Sequence, residues 1–477
     1  MYTTKTVVLY SIMAANSDLI PLTPLDHIPA KIYLPYILFF DAPDPNAAVQ
    51  TIQNGIQSLV AQLPWLAGDV TFHSEPSGPQ NRGHIVPPRS APRDVPMLQV
   101  KNFERDEDVH ANPVQAYLPV PCFIPASKQR PVLRFQANVF PSKIVLVMSY
   151  MHLVIDGTGA GIILEALSQN CKDGKGSVIA QAIAEGEFSL RNEISSWPSK
   201  CQTRLDHSAE LGVPAFPSDL TSEQWAGMEA AMSAAVQTKR FTFSPAKVAQ
   251  LKDLCSKQYL PEVLKQQQND ASSTFISSND LITAILAISV DRAQHASRQV
   301  PKSASLTMAV DLRSRVNPPL PDTFLGNMIY PVRNDIYFPD LPQSSSSSSP
   351  DTDADLLHLT RLALQLRNKL GSMTETLAYS TAAEVVAQGD WTKTEGKPAD
   401  VIVTSWRHLK LLGLDFGAGL SKPVDFEAGL SLIPGACIFM PAKATASGEV
   451  PWEIAVTLSP GAFAALEGDA LVGRILA

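Results

Sequence analysis

Two kinds of apolar run alternate along the first two hundred residues. KIYLPYILFF (31–40), VLRFQANVF (132–140) and KIVLVMSYMHLVI (143–155) are short, nearly unbroken and rich in Val, Ile, Phe and Tyr, the pattern of strands buried on both faces. PNAAVQTIQNGIQSLVAQL (45–63) instead spaces its apolar residues as one face of a helix does. The third strand-like run is the most informative. It predicts a buried strand from Ile144 to Ile155 that Asp156, Gly157 and Gly159 break. Ile162, Ile163, Leu164 and Leu167 then suit the apolar face of a helix, with Asp156 or Thr158 as its N-cap. His152 is thereby expected near a strand-to-helix turn, where a fold can present a base.

The second half repeats the mixture. RFTFSPAKVAQLKDLC, a helix through NDLITAILAISVDRAQH, the strand SLTMAVDLR and later strands around VIVTSW, ACIFMP and EIAVTL predict a second α/β layer structure. Between Ser195 and Glu223 the chain loses periodicity and carries three prolines, which reads as an exposed connection between two cores. PDLPQSSSSSSPDTDAD (339–355) reads as a mobile surface loop. At the start, Val7, Leu9 and Ile12 suit a first β-strand better than a signal peptide, because no clear cleavage context follows.

Composition narrows the class. A chain of 477 residues implies two or three domains, of which two is the expectation, and 45% hydrophobic with 18% charged residues describes a globular protein. The 46 Asp and Glu against 38 Lys and Arg leave a net charge of −8 and no basic stripe, so nucleic acid is not an expected partner. No run reaches the roughly 18 apolar residues of a membrane helix, and no membrane partner is expected. Five cysteines without CxxC pairs fit a reducing cytosol, hence a cytoplasmic protein.

His152 admits three readings: general base, metal ligand and packed core histidine. A ring placed before the break from strand to turn lies close to a surface or cleft, where a neutral imidazole accepts a proton near pH 7. Zinc would need His152 and Asp156 on one helical face with further ligands, yet Leu153, Val154 and Ile155 are strand-like. Gly157, Gly159 and Gly161 invite a dinucleotide reading, but the GxGxxG spacing fails at Ile162, and Asp156 would set negative charge against phosphates. No GxSxG elbow is present, so the base is expected to activate a substrate group.

HLVIDG (His152, Asp156, Gly157) resembles the HxxxDG motif of the chloramphenicol-acetyltransferase-like superfamily, and LDFGAG (Asp415, Phe416, Gly417, Gly419) resembles the DFGWG motif of BAHD acyltransferases. Their order and separation fit that family. TPLDHI, LPWLAGDV, VDLRSRVNPPLPDTFLGN, TSWRHL and GEVPWEIAVTLSPGAFAALEGD also resemble it, so the likeness spans nearly the whole chain and is greatest to the fungal branch that includes trichothecene 3-O-acetyltransferases. Two departures stand out. Ala418 replaces the usual Trp, which the resemblance suggests alters packing more than chemistry, and Met151 replaces the second His of condensation domains and chloramphenicol acetyltransferases.

The resemblance implies an α/β fold of two chloramphenicol-acetyltransferase-like domains with a channel between them: residues 1–210 with HxxxDG, a crossover linker at 211–235, and residues 236–477 with DFGAG. It implies transfer of an acyl group, acetyl by default, from acyl-CoA to a hydroxyl, or alternatively an amine, of a small natural product in fungal secondary metabolism. The competing reading is condensation or cyclisation without CoA. His152 is then the general base, and Asp156 holds its loop by pairing with an arginine, Arg313 first and Arg315 second. Thr404 and Trp406 are implied on the acceptor side, and Gly157, Asp415, Phe416, Gly417 and Gly419 are structural. Acyl-CoA is a cosubstrate, no cofactor or metal is bound permanently, and a monomer is expected.

Overall fold

The computed structural model describes residues 4–7, 19–74, 79–88, 95–106, 114–125, 127–215, 220–266, 274–295, 304–336, 352–429 and 432–477. Leu9, Ile12 and the serine run lie outside them.

The apolar runs build two six-stranded sheets. In the first, Thr4–Val7, Leu98–Asn102, Leu133–Val139, Lys143–Met151, Tyr33–Asp41 and Asp425–Glu427 lie side by side in that order. Lys143–Met151 is central, antiparallel to both neighbours, and Ile144 through Met148 are fully buried. Burial on both faces is why this stretch shows no alternation of polar and apolar residues. Helices Pro45–Gln62 and Gly157–Asp173 pack together; the first buries Ile52, Ile56 and Leu59, the second Ile163, Leu164 and Leu167. The second sheet runs Gln237–Phe243, Trp452–Leu458, Ala436–Phe439, Val401–Ser405, Ala304–Asp311 and Ile329–Ile336, with helix Ser278–Gln294 buried in its core.

Neither half is self-contained. Asp425–Glu427, late in the chain, pairs antiparallel with Ile37–Phe39 and completes the first sheet. Leu25, Ile28, Ile194 and Trp197 enter the core of the second half, while Leu325, Trp406 and Phe416 enter that of the first. This exchange brings distant residues to the junction where the His152 loop lies.

Two expectations require correction. The strand ends at Met151, not Ile155: Val154 and Ile155 both donate their N–H to the Met151 carbonyl and form a turn. Leu153, Val154 and Ile155 are apolar because the turn itself is buried, and a buried turn and a buried strand look alike in composition. The stretch from Ser195 to Glu223 is also not simply an exposed connection. Helix Val178–Lys200 runs through its beginning with Pro198 in the last turn, and helix Ser222–Ala235 occupies the end of the assigned linker. Between them His207 is buried, bridging the Tyr330 hydroxyl and Ser380 Oγ at 2.9 Å each, and Leu211–Gly212 pairs with Glu395–Gly396. The connection is fastened to the second half by polar contacts that local periodicity does not register.

The five cysteines are unpaired. Among the described residues no helix is long and apolar enough to cross a membrane.

Candidate active site

His152 is the first residue beyond the central strand. Its N–H donates to the Ile32 carbonyl at 2.9 Å, and its Nδ1 lies 3.2 Å from the Ile155 carbonyl oxygen. A carbonyl only accepts, so this contact assigns the ring proton to Nδ1 and leaves the lone pair on Nε2. The residue is half-buried: protein atoms crowd it, yet part of its surface stays accessible. Desolvation lowers its pKa below the ordinary histidine value, and the Ile155 carbonyl and Asp156 carboxylate offset this only in part. At neutral pH the ring is therefore neutral, the form a base requires.

Asp156 is fully buried and caps helix Gly157–Asp173. Its Oδ1 accepts from Gly159 N at 2.8 Å and Arg313 Nη2 at 3.0 Å, and its Oδ2 from Arg313 Nη1 at 2.8 Å and Met328 N at 3.0 Å. Four donors use the acceptor capacity of the carboxylate, which holds the loop rather than the imidazole. Arg313 also contacts Asp311 and donates to the carbonyls of Phe324 and Gly326. Burial works to lower its pKa, but the carboxylates of Asp156 and Asp311 outweigh burial and raise it. Arg315 turns elsewhere, donating to the Leu370 carbonyl.

A second buried ion cluster stands behind the same loop. Asp26, at the capping box of TPLDHI, takes Arg191 Nη1 at 2.9 Å; Arg191 pairs with Glu187 at 2.9 Å and donates to the Val154 carbonyl at 3.0 Å. Residues 324–328 splint both clusters: Leu325 N donates to Glu187, Asn327 N to Asp26 and Met328 N to Asp156. Sequence reasoning did not single out Asp26, Glu187, Arg191 or Asn327. The available signal was Glu187 and Arg191 falling in the buried stripe Ala180, Ile183, Ile194, Trp197 of their helix, where two charges require partners.

The splint explains Gly159. A Cβ built there lies 2.3 Å from the Leu325 carbonyl oxygen, so a side chain would push the segment off the loop. Gly159→Ala is expected to lower stability by about 1–3 kcal/mol, the cost of overpacking, and to reduce turnover in the remaining folded protein. Denaturant melts with a parallel turnover assay check both; an alanine variant of unchanged stability would contradict the close approach.

Trp406 is buried with its ring centroid 4.9 Å from that of Tyr36, and its Nε1 is 2.7 Å from where a Cβ on Gly157 would sit. Tyr36 donates its hydroxyl to the Gly157 carbonyl at 2.9 Å. Thr404 is half-buried on strand Val401–Ser405. A cavity of about 510 Å³ lies beside the helix start, walled by Thr158 and Gly161 from one half and by Asp311, Arg313, His408 and Lys410 from the other. LDFGAG stands apart from this group. Phe416 packs on Phe40, Asp415 pairs with Lys172 at 2.9 Å, and Gly417 and Gly419 take φ of 81° and 86°. Ala418 is exposed, so an indole there would cover surface rather than fill a core.

Among the described residues no cluster of His, Cys, Asp and Glu could hold a metal ion.

Residues 2–471 match the Transferase family. The chain is 32% identical over 472 residues to the communesin N16 acyltransferase of Penicillium expansum, covering 94% of this chain and 96% of that protein. It is 31% identical over 485 residues to the fumigaclavine B O-acetyltransferase of Aspergillus fumigatus, covering 95% and 96%. The fold is similar to that of F. sporotrichioides TRI101 complexed with coenzyme A and T-2, with a TM-score of 0.70 at 21% identity over 96% of this chain and 99% of that one. It is also similar to vinorine synthase, with a TM-score of 0.64 at 17% identity over 99% and 98%. The chain belongs to the Transferase family, the BAHD acyltransferases whose two motifs its HLVIDG and LDFGAG segments resemble.

Proposed function

We propose that this acyltransferase moves an acyl group, acetyl by preference, from acyl-CoA to a hydroxyl of a small natural product in fungal secondary metabolism. The observation that carries the reading is His152: Nδ1 tied to the Ile155 carbonyl, Nε2 left to accept, and the residue only half-buried, with Asn327 of the second half on its carbonyl. Relatives named as O-acetyltransferases support a hydroxyl acceptor, and the coenzyme A in the TRI101 crystal structure supports the donor.

Nε2 takes the acceptor proton as the oxygen attacks the thioester carbonyl. The tetrahedral intermediate collapses by breaking the C–S bond, and the imidazolium returns its proton to the departing thiolate, so the ring ends neutral. Asp156 and Arg313 hold the loop, while Thr404 and Trp406 lie on the acceptor side. Residues 1–210 and 236–477 are the two domains, joined by the crossover at 211–235. Five unpaired cysteines support a cytoplasmic location, and the protein works as a monomer.

Thiol release from acetyl-CoA, measured with a panel of hydroxylated terpenoids, polyketides and alkaloids, tests the reading. Acceptor-dependent release supports it; turnover of a CoA-free substrate with no release from any donor overturns it. The pH profile of kcat/KM adds a second check. Because desolvation lowers the His152 pKa, activity is expected to be level through neutral pH and to fall only on the acid side, with a midpoint below about 6.5. A midpoint above neutrality would contradict a desolvated base.

A further inference from the structure

We infer that Asn327 is a positioning residue for His152, an inference that rests on the reading of His152 as the base. Asn327 is fully buried, and its Nδ2 donates to the His152 carbonyl at 2.8 Å and to Asp26 Oδ1 at 3.0 Å. Its backbone N donates to the same Oδ1 at 2.9 Å. Both targets of the side chain only accept, so the amide can face them one way, with NH2 forward. Its Oδ1 is left buried without a hydrogen-bond partner among the described residues. An apolar side chain would avoid that unfavourable term, so the two donated bonds are what the position selects.

The bridge joins the base to a rigid anchor. Asp26 is itself held by the N–H and hydroxyl of Thr23 and by Arg191. With its N–H on Ile32 and its carbonyl on Asn327, the His152 backbone is fixed on both sides, and the Ile155 carbonyl then sets the ring. A tilt of this backbone by about 10–15° carries Nε2 roughly 1 Å, and a misplacement of that size costs about 10²-fold in rate. Buried ion clusters are commonly assigned to the frame of a fold; here one reaches the base through a single amide.

Asn327→Ala and Asn327→Asp test the inference, with folding followed by circular dichroism and thermal melts. Asn327→Ala is expected to lower kcat about 10²-fold while KM for acetyl-CoA stays within about threefold. Asn327→Asp sets a second carboxylate against Asp26 and the His152 carbonyl. Near pH 8 it has no proton to donate; below about pH 6 a single proton taken up by the new carboxyl restores the bond to the His152 carbonyl only at the expense of the one to Asp26, so its kcat relative to wild type is expected to rise severalfold with acid while staying below that of wild type. A purely architectural role moves no such ratio. A kcat for Asn327→Ala within about threefold of wild type, or a pH-independent ratio for a folded Asn327→Asp, would overturn the inference. So would loss of folded protein in both variants, which assigns Asn327 to the frame. Absence of thiol release by the wild type would instead refute acyl transfer. The ring ¹⁵N signals of His152 then decide on Asn327: an Nδ1–H tautomer in wild type that becomes mixed in Asn327→Asp near pH 8 supports positioning, and identical signals refute it.

Discussion

Replacing His152 by alanine is expected to lower kcat by about 10² to 10⁴-fold with little change in thermal midpoint. An alcohol holds its proton too tightly to attack a thioester well unless a base removes that proton as the bond forms. The loop offers one imidazole whose lone-pair nitrogen is left available by the contact of its other nitrogen with Ile155. The fold loses little, because the Asp156 and Asp26 clusters persist without the ring, and its removal deletes one side-chain hydrogen bond. Binding and orientation of both substrates survive, so residual turnover is expected to remain above the uncatalysed rate. Steady-state thiol release with acetyl-CoA and a saturating acceptor reads the effect. Equal rates for variant and wild type would refute the assignment of the base.

Asp156→Ala is expected to act in the opposite order, on the fold first. It leaves the Arg313 guanidinium buried without its bidentate partner, and breaking a pair of this kind costs about 3–5 kcal/mol. Loss of the cap on helix Gly157–Asp173 adds about 1 kcal/mol. A double variant with Arg313→Met removes the stranded charge, so the double variant is expected to be more stable than the sum of the single effects predicts. Denaturant midpoints of the four proteins supply the cycle. Turnover in the folded fraction also falls, because Met328 N and Gly159 N lose the acceptor that ties the splint to the loop. An Asp156→Ala protein with wild-type stability and no activity would mean that the carboxylate serves the chemistry directly.

The strand, the turn and the helix around His152 were legible because each has a local cause. A β-branched run buried on both faces, an aspartate that caps, and apolar residues at helical spacing are written within thirty residues. The strand's end was misread for a local reason too: Leu153, Val154 and Ile155 are buried whether extended or turned, and hydrophobicity reports burial, not direction. Likewise the crossover is largely exposed as its sequence suggests, but its anchors, His207 with Tyr330 and Ser380, escape notice because single polar contacts carry no period.

By itself the sequence determined the α/β class, the place of His152 at the end of a buried strand, a cap at Asp156 or Thr158 that the structure assigns to Asp156, and the motifs that mark the family, all properties of residues near one another in the chain. Only the tertiary structure decided which nitrogen of His152 is left to accept, that Arg313 and not Arg315 meets Asp156, and that Asn327 bridges Asp26 to the His152 carbonyl. These pairs lie 157 and 301 residues apart for Arg313 with Asp156 and for Asn327 with Asp26. Long-range hydrogen bonds depend on distance and angle after packing, and the desolvation that lowers the His152 pKa exists only once the chain has packed around the residue.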